Sequence, residues 1–188
     1  MSSELTAAIR RIKPEKRIES LKRRDVSHLP FLSQVSTSPP KLLYDTTVYI
    51  DILQDRFPRG GDLVLRAADA WHCSVAEAEL VVLIGYLDPS HPDTVAAVKQ
   101  ITATVEKIPS HRRLAPDREV WVDAAVLAGV LARLQGYDEI NRKRVLNDAL
   151  LFSTARKHGL TILTRNIIDF DFLQQIEPTG RVLFYNRS

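Results

Sequence analysis

Most of the chain alternates short apolar runs with longer stretches of helical periodicity. Leu42–Tyr44 is an apolar run of the length of a buried strand, and hydrophobic residues recur after it at helical spacing. Ala70–Val75 carries a second, weaker strand pattern, and Glu77–Tyr86 follows it as an apolar helix. The first part of this region therefore predicts two strand–helix units.

The same alternation continues to the end of the sequence. Helices are predicted at Thr94–Ile108, Arg118–Gln135 and Asn147–His158, and strands at Leu160–Thr164 and Arg181–Tyr185. Strands that alternate with helices favour a parallel sheet covered on both faces. We therefore predict an α/β fold, a three-layer α/β/α sandwich around a mostly parallel sheet.

The first forty residues have a different character. A charged, partly helical stretch near Leu5–Arg24 precedes an irregular piece, Ser33–Pro40, so we divide the chain into an extension (1–40) and a domain (41–188). Residues 1–44 hold nine basic and four acidic side chains, a net charge of +5, whereas the whole chain carries +3. Such a basic arm fits either a polyanionic partner or a solvated tail. We expect it to dock as a helix on a neighbour or to stay mobile and attract RNA, and its deletion to leave the domain intact.

Composition narrows the class of protein. Hydrophobic residues make up 45% of the sequence and charged residues 26%, as in soluble globular domains. We expect no membrane span and no signal peptide, because no apolar run is long enough. The single cysteine, Cys73, excludes an internal disulfide and fits a cytoplasmic protein.

Four acidic residues occupy the positions where a parallel sheet gathers its chemistry, beyond the carboxyl ends of strands. Asp45 follows the first strand, Asp169 lies in the loop after the strand that ends at Thr164, Asp148 opens a helix, and Glu79 lies in a helix after the second strand. Clustered carboxylates repel one another and so normally need a cation. Oxygen ligands of this kind suit Mg²⁺ or Mn²⁺.

Each acid also has a structural explanation. Asp45 and Asp169 are suited to capping the segments that follow them, and Asp148 to stabilising a helix N-terminus through the helix dipole. Glu77 competes with Glu79, but the spacing from Ser74 to Glu77 is that of a capping box. We choose Glu79 because it has no such local role.

Four sequence blocks resemble the PIN-domain ribonuclease family. They are Leu43–Ile50, Ser74–Leu80, Asn147–Ala155 and His158–Phe170, the last with a Thr-Arg-Asn loop followed by Asp-Phe. Within that family the blocks are most similar to VapC-type toxins of toxin–antitoxin pairs. The resemblance implies an endoribonuclease that depends on Mg²⁺ or Mn²⁺, forms a homodimer and is inhibited by a protein antitoxin.

The resemblance also assigns roles to residues. Asp45, Glu79, Asp148 and Asp169 would be both catalytic and metal-binding, with Thr46, Thr164 and Asn166 supporting them. Because the site is acidic, basic side chains must bind the phosphates of the RNA backbone beside it. The candidates for this RNA-binding role are Arg165, Arg142, Lys143 and Arg144.

Other functions stay open at this stage. An RNA-processing nuclease outside a toxin–antitoxin pair would use the same residues, and a catalytically silent binding module would keep the fold alone. A phosphatase or phosphoacceptor is disfavoured because the segment after Asp45 lacks the motifs of those classes. No Walker-type phosphate loop is present.

Overall fold

The computed structural model describes residues 3–35, 40–59, 61, 65 and 69–188. Its sheet has the order β3-β2-β1-β4-β5, and every pair of neighbouring strands is parallel. The strands are β1 (Leu42–Tyr44), β2 (Ala70–Cys73), β3 (Arg113–Leu114), β4 (Thr161–Thr164) and β5 (Arg181–Phe184). All side chains of β1 and β4 are buried, and successive side chains of a strand point to opposite faces, so both faces of the sheet are covered. The predicted α/β sandwich around a parallel sheet is confirmed.

Seven α-helices surround the sheet in the described part of the chain. They are α1 (Glu4–Ile12), α2 (Thr46–Leu53), α3 (Ser74–Tyr86), α4 (Thr94–Glu106), α5 (Arg118–Gln135), α6 (Glu139–Lys157) and α7 (Ile167–Ile176). Helix α5 has the predicted bounds because both of its ends carry a strong local signal. The Asp117 side chain accepts a hydrogen bond from the backbone N–H of Val120, and Gly136 ends the helix at a φ of 63°. Within the described ranges, none of these helices is both long and apolar enough to cross a bilayer.

The predicted boundary between β2 and α3 is wrong by a few residues. The strand ends at Cys73, and the helix begins at Ser74 rather than at Glu77. The expected capping box is therefore absent, since Ser74 lies inside the helix. Glu77 instead pairs with Arg113 of β3, at 2.8 Å from Nε.

Helix α6 begins at Glu139, eight residues before the predicted start at Asn147. Its first turns are strongly polar, so no apolar periodicity marked them in the sequence. Asp138 caps the helix, because its side chain accepts a hydrogen bond from the backbone N–H of Asn141. Asp148 consequently lies in the middle of a helix and not at its start. The two-residue strand β3 was not predicted either, because two residues carry no periodic signal.

The N-terminal extension packs on its own domain. Its helix α1 ends at Ile12, well short of the predicted Arg24, and Ala8 and Ile12 are fully buried in contact with the domain. The Arg11 guanidinium pairs with two carboxylates, Asp123 at 2.5 Å and Glu177 at 2.6 Å. Further along, the extension buries Leu29, Phe31 and Leu32 in the same core. Removing residues 1–40 would therefore open this core, contrary to the expectation from sequence.

The extension also reaches the edge of the sheet. Phe31 forms a parallel bridge with Phe184, and the Phe184 N–H donates to the carbonyl oxygen of Pro30 at 2.8 Å. Because β5 pairs with β4 on its other side, this bridge covers part of an edge that would otherwise be open.

Candidate acidic active site

Asp45 lies at the carboxyl end of β1 and caps α2. Its Oδ1 accepts the backbone N–H of Thr46 at 2.7 Å, so the helix-capping explanation from sequence is correct. Its Oδ2 accepts the hydroxyls of Thr47 at 2.6 Å and Thr164 at 2.7 Å. Asp45 is 3% exposed, and Thr164, at the end of β4, is fully buried. Helix α2 and strand β4 thus both hold this carboxylate.

Glu79 projects from α3 toward the same end of the sheet. Thr46 donates its hydroxyl to Glu79 Oε2, and Asn147 Nδ2 donates to Oε1 at 2.8 Å. These partners connect Glu79 to α2 and α6. Glu77, the competing acid, is engaged by β3 instead, so the geometry agrees with the choice of Glu79.

Asp148 and Asp169 are joined by one amide. Asn166 Nδ2 donates to Asp148 Oδ2 at 3.1 Å and to Asp169 Oδ2 at 3.0 Å. Asn166 is also the N-cap of α7, and Asp169 lies in the first turn of that helix rather than in the predicted loop. A further donor, the Tyr137 hydroxyl, reaches Asp169 Oδ1 at 2.6 Å.

The electrostatics show how crowded these acids are. Burial raises the pKa of Asp148 well above its usual range, and the negative charges of Asp45, Asp169 and Glu79 raise it further, while Arg144 opposes the change. Burial also raises the pKa of Asp45, against the lowering effect of its hydroxyl donors. The structure thus brings the four predicted acids into one mutually repelling cluster, a charge distribution that a cation would relieve.

The donor chemistry of the cluster suits a hard divalent cation, because its side chains offer only oxygen ligands from acids and hydroxyls. Within the described ranges, however, no three acidic, histidine or cysteine side chains are already placed to hold one ion together. The carboxylate oxygens are instead occupied by Thr46, Asn147, Asn166 and Tyr137. A cation would have to replace some of these hydrogen bonds.

A cleft of about 690 Å³ opens beside the cluster. Its lining residues are Arg23, Thr47, Tyr137, Asn141, Arg144, Arg165, Asn166, Ile167, Ile168 and Asp169. Two of the four predicted RNA-binding residues, Arg144 and Arg165, are therefore on the cleft. The other two are not among the lining residues: Arg142 donates to the Tyr137 carbonyl at 2.8 Å, and Lys143 pairs with Glu139 at 3.0 Å.

Arg165 is paired with a buried acid. Its Nε lies 2.7 Å from Asp51 Oδ2, and the same carboxylate is held by Arg187 and by the Tyr185 hydroxyl. Burial would raise the pKa of Asp51, but the hydrogen bonds from these partners outweigh it, and the pKa is lowered. Asp51 thus stays charged and holds Arg165 at the cleft.

Three residues of the site were missed from sequence. Thr47 and Asn147 each adjoin a predicted acid, so their positions in the matching blocks were a usable signal. Tyr137 follows the glycine that ends α5, and nothing in its local sequence indicates that its hydroxyl meets Asp169. The packing of α7 against α5 and α6 brings it there.

No protein-family model matches the sequence, and a search of curated proteins finds no match. Solved structures do match over most of the chain. FitAcB from Neisseria gonorrhoeae is 18% identical with a TM-score of 0.55, covering 77% of this chain and 96% of that one. DNA-bound VapBC from Salmonella typhimurium is 15% identical with a TM-score of 0.54, covering 77% and 98%. VapBC2 from Rickettsia felis, bound to a promoter DNA fragment, is 14% identical with a TM-score of 0.53, again covering 77% and 98%.

These matches define the class of fold. The parallel sheet and its helices form a PIN-like α/β fold, as the sequence blocks predicted. More particularly, the chain shares that fold with the FitAB and VapBC structures over nearly their full length.

Proposed function

We propose that this protein is a divalent-metal-dependent endoribonuclease that hydrolyses RNA phosphodiester bonds, acting as the toxin of a toxin–antitoxin pair. The observation that carries the proposal is the convergence of Asp45, Glu79, Asp148 and Asp169, which come from four distant parts of the sequence. A partly buried cluster of mutually repelling acids is costly to the fold, and such costs are typical of functional sites.

In this proposal the four acids hold Mg²⁺ or Mn²⁺. When bound, such a cation supplies an activated water and stabilises negative charge on the scissile phosphate. The surrounding residues orient the acids. Thr47 and Thr164 fix one oxygen of Asp45, and Asn166 sets the separation of Asp148 from Asp169. Arg144 and Arg165 contribute positive charge along the cleft, where the RNA backbone would lie.

The partners in this proposal follow from the resemblance to VapC-type toxins. They are a protein antitoxin that covers the acidic cleft and a second copy of this chain, all in the cytoplasm. The similarity of the fold to FitAB and VapBC, some of them solved with DNA, supports an antitoxin partner for this chain as well.

The test is RNA cleavage by the purified full chain with Mg²⁺ or Mn²⁺ and with EDTA. The wild type should cut RNA only with metal, and Asp148→Asn should lose at least about 100-fold of the activity, since loss of a ligand exceeds the effect of losing its supporting partner. Mn²⁺ should raise the melting temperature of the wild type and leave that of Asp148→Asn unchanged. Without metal the variant should melt no lower than the wild type, because one repelling charge is gone and Asn166 keeps an oxygen to donate to.

The matched control is Asp93→Asn, which removes an exposed charge in the turn before α4. It should retain both cleavage and the response to Mn²⁺. Cleavage that persists in EDTA, or that survives in Asp148→Asn, would overturn the metal-dependent mechanism. A wild type that binds RNA without cutting it would instead identify a silent binding module.

A further inference from the structure

The segment formed by residues 21–24 is fixed to the domain although it has no regular secondary structure. Gln135, the last residue of α5, donates its side-chain amide to the Leu21 carbonyl at 3.1 Å. Gln175 in α7 donates its amide to the Lys22 carbonyl, also at 3.1 Å. Two helices therefore hold the backbone just before Arg23.

The residue after Arg23 is held even more firmly. The Arg24 backbone N–H donates to Asp171 Oδ2 at 2.9 Å, and its Nε donates to Oδ1 of the same carboxylate at 2.5 Å. Its Nη2 reaches the Gln174 side-chain oxygen, also at 2.5 Å. Because Asp171 is fully buried, this pair anchors the segment to the body of α7.

Arg23 itself is the member of this segment that faces the cleft. Its side chain is exposed and lines the cleft together with Tyr137, Asn166 and Asp169. The described part of the chain supplies no hydrogen bond or ion pair to its guanidinium. Asp169, the acid that lines the cleft, accepts hydrogen bonds from Tyr137 and Asn166 and none from Arg23.

The charges around the cleft indicate what the Arg23 guanidinium binds. Arg165 is held by Asp51, a carboxylate that it shares with Arg187, whereas Arg23 and Arg144 make no ion pair with any described residue. An RNA strand must bring its phosphates next to four carboxylates, and it gains from a cation at that approach. A guanidinium suits this role because its fork of donors binds two phosphate oxygens at once.

We propose that Arg23 binds a backbone phosphate of single-stranded RNA beside the acidic cluster, so that the N-terminal extension forms one wall of the substrate site. Arg24 and Asp171 act as positioning residues that hold Arg23 there. This inference rests on the proposed ribonuclease function, since it assigns a subsite to the same cleft.

The test measures binding separately from cutting. The full chain in EDTA is titrated against a fluorescent, unstructured single-stranded RNA at several salt concentrations, and anisotropy gives the affinity. Arg23→Ala should weaken binding roughly five- to tenfold near 50 mM salt and lower the slope of log affinity against log salt by about 0.7, the value for one phosphate on a single strand. Arg23→Lys should keep most of that slope, because it keeps the charge.

The matched control is Lys22→Ala, which removes a neighbouring exposed charge that is not on the cleft. It should change affinity less than about twofold. If Arg23→Ala binds RNA with the same affinity and the same salt slope as the wild type, the proposal is wrong. The basic segment would then be assigned to binding a protein partner. Equal losses of RNA affinity in Lys22→Ala and Arg23→Ala would also overturn it, since they would show an effect of total positive charge and not of a specific site.

RNA cleavage with Mn²⁺ is measured in parallel and distinguishes failure of the ribonuclease proposal from failure of the Arg23 proposal. A wild type that cuts RNA while Arg23→Ala binds normally refutes the subsite alone. A wild type that binds RNA through Arg23 but never cuts it refutes the nuclease and leaves the subsite standing.

Discussion

His72 is kept neutral by its position in β2. Burial and, to a smaller extent, the positive charge of Arg113 on the neighbouring strand together lower its pKa to about 4. The Tyr49 hydroxyl lies 2.5 Å from Nδ1, and the Tyr44 ring packs edge-on against the imidazole. This packing fits a neutral ring and would be disturbed by a proton.

Because of His72, the free energy of unfolding should fall as the solution becomes acidic. An unfolded histidine has a pKa near 6.5, so between that pH and about 4 the unfolded state binds more protons and stability falls as the pH falls. His72→Gln removes the titration and keeps an acceptor for Tyr49. Between pH 7 and pH 4.5 the wild type should lose up to about 2 kcal/mol more than the variant, after allowance for the partial exposure of the ring.

Urea unfolding at the two pH values measures this difference. His91→Gln, at an exposed histidine in the turn before α4, should follow the wild type. Parallel pH profiles for His72→Gln and the wild type would contradict the prediction.

At the scale of single residues, the sequence indicated the acids of the site better than their partners. Asp45 and Glu79 stand in short blocks whose local pattern identifies them. Tyr137 and Arg23 have no such pattern, because their place at the cleft depends on how α5 and the extension pack. Residues marked by a local sequence pattern could be assigned to the site, whereas residues placed there only by the packing of elements could not.

Among the elements, α1 depends on a buried carboxylate of α5. Asp123 is 2% exposed and pairs with Arg11 of α1 and with Arg156 of α6. It therefore ties the extension, α5 and α6 together at one point.

Asp123→Ala should leave both arginines without their shared partner. Arg11 keeps Glu177, but Arg156 is left uncompensated, and breaking a buried pair in this way costs about 3 kcal/mol or more. Denaturant unfolding should show that loss. Glu119→Ala, which breaks an exposed pair with Lys157, should cost less than about 1 kcal/mol. Equal effects of the two variants would show that Asp123 does not hold the elements together.

The elements themselves were predictable to different degrees. Strand β1 and helix α5 have the predicted bounds, since each combines an apolar pattern with clear end signals. The start of α6 was missed because its first turns face solvent and carry charged residues instead of a stripe of apolar residues at helical spacing. Strand β3 exists only through its pairing with β2, which no local pattern encodes.

On the scale of the whole molecule, an apolar groove between α3 and α4 faces solvent. Tyr86, which is 78% exposed, lines the groove together with Leu83 and Ala97. Apolar surface of this kind is typical of association sites.

We expect this groove to lie in the proposed homodimer. Tyr86→Lys should then weaken dimerisation at least about tenfold, because exposed aromatic residues often carry much of the binding energy. Sedimentation velocity over a range of micromolar concentrations measures it. Ile140→Lys, at a residue of α6 that is 71% exposed, is the control and should dimerise normally. A wild type that stays monomeric throughout would refute the dimer.

The bridge between Phe31 and Phe184 has a consequence for how the protein is made. A ribosome synthesises Phe31 long before Phe184, so the backbone that covers the outer side of β5 already exists when that strand emerges. The segment that contains Phe31 can therefore cover the edge of β5 as soon as β5 forms, before another chain pairs with that edge. The extension in this way leaves less of the edge of β5 open to pairing with a second chain.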